Sequence, residues 1–94
     1  MSEIHLTGHL VCRTSDEVAT VAAHLPEHTR RTRAEAGCLH FEVGSTADPL
    51  VWSVQERFAD EESFRAHQER VADSEWGRRT AGIERRYSVA GLTR

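Results

Sequence analysis

The sequence predicts an α+β fold of ferredoxin-like type, with elements in the order β-α-β-β-α-β. Three observations carry this. Residues alternate between apolar and polar at period two over 3–12, 38–43, 50–58 and 83–89. Two stretches with apolar residues at helical spacing separate the first strand from the second and the third from the last. The 94 residues contain no linker, repeat or low-complexity segment, so residues 1–94 read as one domain with one modest core. Four antiparallel strands in the order 4-1-3-2, with both helices on one face, follow from that element order.

The first strand places Ile4, Leu6, Gly8, Leu10 and Cys12 on one face and His5, Thr7, His9 and Val11 on the other. Thr14-Ser15-Asp16-Glu17 has the spacing of a capping box, with Thr14 as N-cap and Glu17 reaching back. The helix that follows has Val18, Val21, Ala22, Leu25, Thr29 and Thr32 at helical spacing. Pro26 removes one backbone donor inside it, so a kink or short restart is expected there. Arg30, Arg31 and Arg33 suit a solvated helix C-terminus, and Gly37 is a natural stop. The second strand groups Leu39, Phe41 and Val43, and residues 44–49 have strong turn chemistry. The third strand places Trp52, Val54, Glu56 and Phe58 together. Asp60 can cap a helix over 61–71, and Asp73 or Ser74 can cap one further turn through Trp76. The last strand groups Ile83, Arg85, Tyr87 and Val89.

Composition narrows the function classes. A net charge of −3, with acids and arginines mixed along the chain, is a poor match to a nucleic-acid binder. Every basic residue is arginine, and the chain has neither lysine nor asparagine. No apolar run approaches a membrane span, and no basic-then-apolar leader opens the sequence, so a cytoplasmic location is the expectation. Cys12 and Cys38 read as small buried strand residues, on strands that the predicted order does not make neighbours. The sheet's second face carries His5, Thr7, His9, Val11, His40, Val51, Ser53 and Gln55. So weakly polar a surface suggests packing against a second copy, as a C2 homodimer.

One pair of residues suggests chemistry. Glu56 lies four positions before the cap Asp60, about 13 Å of extended chain. His67 lies seven positions after it, about 10 Å of helix. A helix folded back over its own strand brings the two together. Two readings then fit. His67 is a base working near neutral pH with Glu56 fixing its tautomer, or the two are a satisfied core pair joining helix to strand. Phe41, Trp52, Phe58 and Phe64 are expected to face the interior, where an aromatic-lined cavity and a packed core are both open outcomes. Trp76 is placed as a lid or wall, and His28 at the edge of the first helix's stripe. The pairs His24–His28 and His5–His9 lack the companions of a metal site, and no metal is expected. No nucleotide loop, nucleophile elbow or flavin-type glycine pattern occurs, which favours chemistry without an organic cofactor.

The run from His28 through TRRTRAEAGCLHFEV, then VWSVQERFADEESFRAHQ, then Trp76 and a closing Ile-x-x-x-Tyr strand, resembles the antibiotic biosynthesis monooxygenase (ABM) domain family. The most specific part of the resemblance is Glu56, Phe58 and His67, and Gly-Cys-Leu-x-Phe at the second strand also fits. The resemblance covers nearly the whole chain. It implies a dimeric α+β barrel with a pocket between helices and sheet. It also implies cofactor-free oxidation, with O2, or isomerisation of small quinol-like, dihydroxy-aromatic or carbonyl compounds. His67 and Glu56 would be catalytic, and His28, Phe41, Trp52, Phe64 and Trp76 would bind substrate. The haem-degrading and phenol-oxidising branches both use an asparagine that this chain lacks, so their machinery does not carry over intact. A non-catalytic dimeric small-molecule-binding module, and an isomerase of a small carbonyl compound, are the alternative functions.

Overall fold

The computed structural model describes residues 2–92. Its elements are β1 (Ile4–Val11), α1 (Ser15–Arg33), β2 (Cys38–Ser45), β3 (Val51–Phe58), α2 (Glu61–Ala72), α3 (Glu75–Arg79) and β4 (Glu84–Ala90). The sheet is antiparallel with strand order β2-β3-β1-β4, which is the expected 4-1-3-2 read from the other edge. This is the ferredoxin-like α+β fold, with α3 as the additional turn that Ser74 caps. No described helix is long and apolar enough to cross a membrane.

Side-chain alternation decides which sheet face is covered. Ile4, Leu6 and Leu10 of β1 and Val54, Glu56 and Phe58 of β3 are buried, while His5, Thr7, His9 and Gln55 on the opposite face are exposed. Val21 of α1, Phe64 of α2 and Trp76 of α3 close the core over the buried face. Each helix starts on a side chain that accepts an otherwise unpaired backbone N–H. Thr14 accepts from Glu17, Asp60 from Ser63 and Ser74 from Gly77. The reciprocal half of the first capping box is shifted by one residue: the Glu17 carboxylate accepts from the backbone N–H of Arg13, at 2.8 Å.

Two local expectations are corrected. α1 runs through Pro26 as one helix, without a restart. Pro26 and Ala22 are both exposed, so water can satisfy the carbonyl that the proline leaves unbonded. Leu39 does not share the inner face with Phe41, and is 46% exposed. The pairing slips from Cys38↔Phe58 to His40↔Arg57, so Leu39 is the extra residue of a β-bulge and Cys38 packs against the core instead. On β4 the expected grouping holds: Arg85, Tyr87 and Val89 lie opposite Leu10, Gly8 and Leu6 on the inner face, although at this sheet edge only Tyr87 is half-buried. Cys12 and Cys38 are both free thiols.

Gly8 sits in the middle of β1 with φ +153°, and a Cβ there would lie 2.0 Å from the Arg86 carbonyl oxygen of the neighbouring strand. No side chain fits between the two backbones. Gly8→Ala is expected to lose at least ~2 kcal/mol in urea denaturation. Gly82→Ala, which meets nothing within 4 Å, should stay within about 0.5 kcal/mol of the parent.

Candidate active site

β3 and α2 bring Glu56 and His67 together. Glu56 points inward because it alternates with Val54 and Phe58, and it lies opposite Leu6 and Phe41 in the sheet. His67 follows Phe64 by one short helical step and shares its buried side. The Nε2 of His67 lies 3.7 Å from Oε1 of Glu56, and both side chains are buried, at 3% and 8% exposure. That distance is contact, but it is too long for a hydrogen bond.

The hydrogen-bond partner of His67 is Glu35, in the short segment between α1 and β2. Nδ1 of His67 donates to Oε1 of Glu35 at 2.8 Å. An ionised carboxylate only accepts, so the hydrogen is assigned to Nδ1, and Nε2 of the neutral ring faces Glu56 with its lone pair. The other Glu35 oxygen accepts from Nε of Arg70, and Arg70 also donates to the Thr32 hydroxyl at 3.0 Å. Sequence reasoning missed Glu35. The available signal was an acid just beyond a helix C-terminus, where the helix dipole disfavours negative charge.

Burial sets the electrostatics. It pushes the Glu56 carboxyl up to about 7; the negative charge of Glu35 adds to the rise and Arg85 opposes it. It pulls the His67 imidazole down, against the bond to Glu35. It drives His28 down to about 3, helped by His67 and the guanidinium groups of Arg70, Arg85 and Arg31, so His28 is neutral at pH 7. Tyr87 is pushed up to about 12, again chiefly by burial.

These groups border a cavity of about 300 Å³ between the sheet and the helices, with Leu6, Val54, Phe41 and Tyr87 among its walls. His28 and Trp76 form one side of it. Their rings stack at 4.4 Å and 2°, and the edge of His28 meets Phe41 at 5.2 Å. Two buried polar atoms at the cavity residues have no hydrogen-bond partner, Oε1 of Glu56 and Nδ1 of His28. Buried polar atoms without partners are uncommon in folded proteins.

Of the seven expected site residues, five border the cavity: Glu56, His67, His28, Phe41 and Trp76. Trp52 and Phe64 do not. Trp52 lies opposite Leu10 and Ser45, half-buried against the core, and Phe64 packs edge-on against Phe58 at 5.7 Å. Arg85 and Tyr87 border the cavity as well. The Arg85 guanidinium is held by the Thr80 carbonyl and hydroxyl oxygens. The described residues contain no group of three or more His, Cys, Asp or Glu side chains able to hold a metal ion.

The family profile described as antibiotic biosynthesis monooxygenase matches residues 14–76. No curated protein matches the chain in sequence. Several solved structures share its fold. Rv0793 from Mycobacterium tuberculosis superposes with a TM-score of 0.75 at 19% identity, over 99% of this chain and 97% of that one. A protein from Nitrosomonas europaea, provisionally named an antibiotic biosynthesis monooxygenase, gives 0.80 at 17% identity over 98% and 92%. MupZ from Pseudomonas fluorescens gives 0.78 at 15% identity over 95% of this chain and 68% of its own. At these identities the likeness is one of fold.

The buried carboxyl gives a pH test. Between its ordinary value of 4.5 and about 7, folded Glu56 keeps a proton that the unfolded chain has lost, so its contribution to stability falls as pH rises through that window. His28 acts in the opposite sense, because below 6.5 the unfolded ring binds a proton that the folded ring refuses until about 3. Glu56→Gln removes only the first effect. Its stability relative to the parent is expected to rise by up to ~3 kcal/mol from pH 4.5 to 7 and to stay level above. Urea denaturation across that range measures the difference, and a difference that does not vary with pH would mean that Glu56 titrates as an ordinary carboxyl.

Proposed function

Because the chain belongs to the antibiotic biosynthesis monooxygenase family, we propose that it oxidises a small quinol-like or other electron-rich aromatic molecule with O2. His67 serves as the base and Glu56 as its partner. The observation that carries this reading is the unpartnered Glu56 oxygen beside Nε2 of His67, in an aromatic-walled cavity of about 300 Å³. A phenolic hydroxyl is the kind of guest such a cavity suits. Its ring would lie among Phe41, Tyr87 and the His28–Trp76 stack, and its O–H would meet the carboxyl and the imidazole.

The chemistry asked of the protein is modest. Nε2 takes the hydroxyl proton, and the imidazolium so formed lies between the acidic side chains of Glu35 and Glu56, whose ionised forms stabilise it. The phenolate is a far better electron donor than the phenol. In the overall reaction one atom of O2 enters the ring and the other leaves as water. Two of the four electrons come from quinol becoming quinone, and two from the C–H bond that is replaced. The low exposure of His67 and Glu56, 3% and 8%, strengthens the electrostatic contact between them. No organic cofactor takes part in this scheme. Isomerisation of a small carbonyl compound would begin with the same deprotonation and proceed without O2.

The active form in this proposal is a homodimer joined through the outer sheet face. Support comes from the uncovered Thr7, His9, Val11, Val51 and Ser53 surface, where no helix packs. Sedimentation is expected to give twice the chain mass of 10.6 kDa, and a monomer at micromolar concentration would remove the dimer from the proposal.

Incubation with a panel of quinols under air, beginning with 1,4-dihydroxynaphthalene, tests the activity. Oxygen uptake above the spontaneous rate is expected, with His67→Ala slower by about 10²–10⁴-fold in kcat. Equal rates for the two proteins would take His67 out of the mechanism. Saturable binding without turnover would favour a non-catalytic binding module.

A further inference from the structure

His67 separates two hollows. The inner one is the cavity that Glu56 borders. The outer one is an open groove between the α1–β2 junction and α2, lined by Glu35, Gly37, Ser63, Ala66 and Arg70. Among the described residues, His67 is the one that lines both. Its two ring nitrogens divide between them, with Nε2 toward Glu56 and Nδ1 toward Glu35. Glu35 is 21% exposed, whereas Glu56 and His67 are almost fully enclosed. A buried imidazole bonded on one side to a solvent-accessible carboxylate, and touching an enclosed one on the other, has the geometry of a proton conduit.

We propose that Glu35 is the outer station of a proton path running from the cavity through Glu56 and His67 to the groove. The proposal rests on the reading of the cavity as the reaction site. The substrate hydroxyl gives its proton to Nε2, directly or by way of the Glu56 carboxylate. The hydrogen on Nδ1 passes to Oε1 of Glu35 and from there to water in the groove. The ring is left neutral, with its hydrogen on Nε2. The reverse run returns one proton to the cavity as the second oxygen atom leaves as water, and this restores the starting tautomer. No net proton is consumed, in keeping with the overall reaction. The 3.7 Å gap between Nε2 and Oε1 of Glu56 closes by a swing of a carboxyl oxygen that no hydrogen bond holds. Arg70, bonded to the second Glu35 oxygen, keeps the first aimed at His67. Glu35 is thus a positioning and proton-exchange residue acting through His67.

The groups that face this path are Glu56 on β3, His28 on α1, Arg70 on α2, Glu35 and Cys38 at the α1–β2 junction, and Arg85 on β4 acting on Glu56. Two measurements test the path, and only one needs turnover. With 1,4-dihydroxynaphthalene under air, Glu35→Gln is expected to lower kcat about tenfold or more while KM stays within about twofold. Glu35→Ala should be partly restored by added formate, which a purely structural role would not allow. Unchanged kcat in Glu35→Gln would overturn the path. If the parent protein oxidises no quinol, the functional reading fails and the path is decided by the ¹⁵N signals of the His67 ring between pH 5 and 9. Glu35→Gln should then lower the His67 midpoint, and Glu56→Gln should reduce a two-step titration to one step, as coupled groups require. A His67 titration indifferent to both substitutions would overturn the path whatever the activity.

Discussion

A single imidazole, buried and held at one nitrogen, organises the interior of this protein. The bond from Nδ1 of His67 to Glu35 fixes the ring's tautomer and ties α2 to the segment that follows α1. It also leaves Nε2 as the nitrogen that looks inward, beside an acid that burial has made reluctant to ionise. Without Glu35, the neighbouring carboxyl would be Glu56, on the side of Nε2. With Glu35, the inward face of His67 is a proton acceptor. The Arg70 contacts to Glu35 and Thr32 extend the same tie across both long helices, so the ring's orientation is secured by elements far apart in sequence.

The fold was largely legible because periodicity and cap chemistry speak directly about local structure. Thr14, Asp60 and Ser74 stand before their helices as the pattern requires, and the strand order follows from the element order. The meeting of Glu56 and His67 was also legible, since two opposed lengths of chain with a common turn must come back to the same level. Other features depend on information that one segment does not hold. Glu35 lies in an aperiodic junction, where no repeat tells which way a side chain points. Leu39 follows the alternation of its strand in sequence but not in space, because a register slip is a property of two strands together. Trp52 and Phe64 sit on the buried faces that the pattern assigns to them. Parity reports the face, however, and not the position along it, and the cavity occupies only part of that face. Pro26 shows the converse: a residue that ordinarily interrupts a helix is tolerated where the lost hydrogen bond faces water.

The same scaffold recurs in proteins less than one-fifth identical to this one, so the architecture constrains chemistry only loosely. In this chain the hollow is bordered by a particular set of groups. Two carboxyls flank one histidine, and a neutral histidine is stacked flat on a tryptophan. A tyrosine is kept protonated by burial, and an arginine is already committed to backbone and hydroxyl oxygens.

The bulge at Cys38 and Leu39 has a consequence beyond the exposure of one leucine. It falls on β2, which with β4 forms the two free margins of the sheet. A regular margin offers a stray strand a ready row of donors and acceptors. The misfit at Leu39 breaks that row near one end, and Glu84 and Arg86 put charge on the opposite margin. An irregularity that looks like a flaw in strand pairing would thereby help keep crowded copies of this chain from zipping into fibrils.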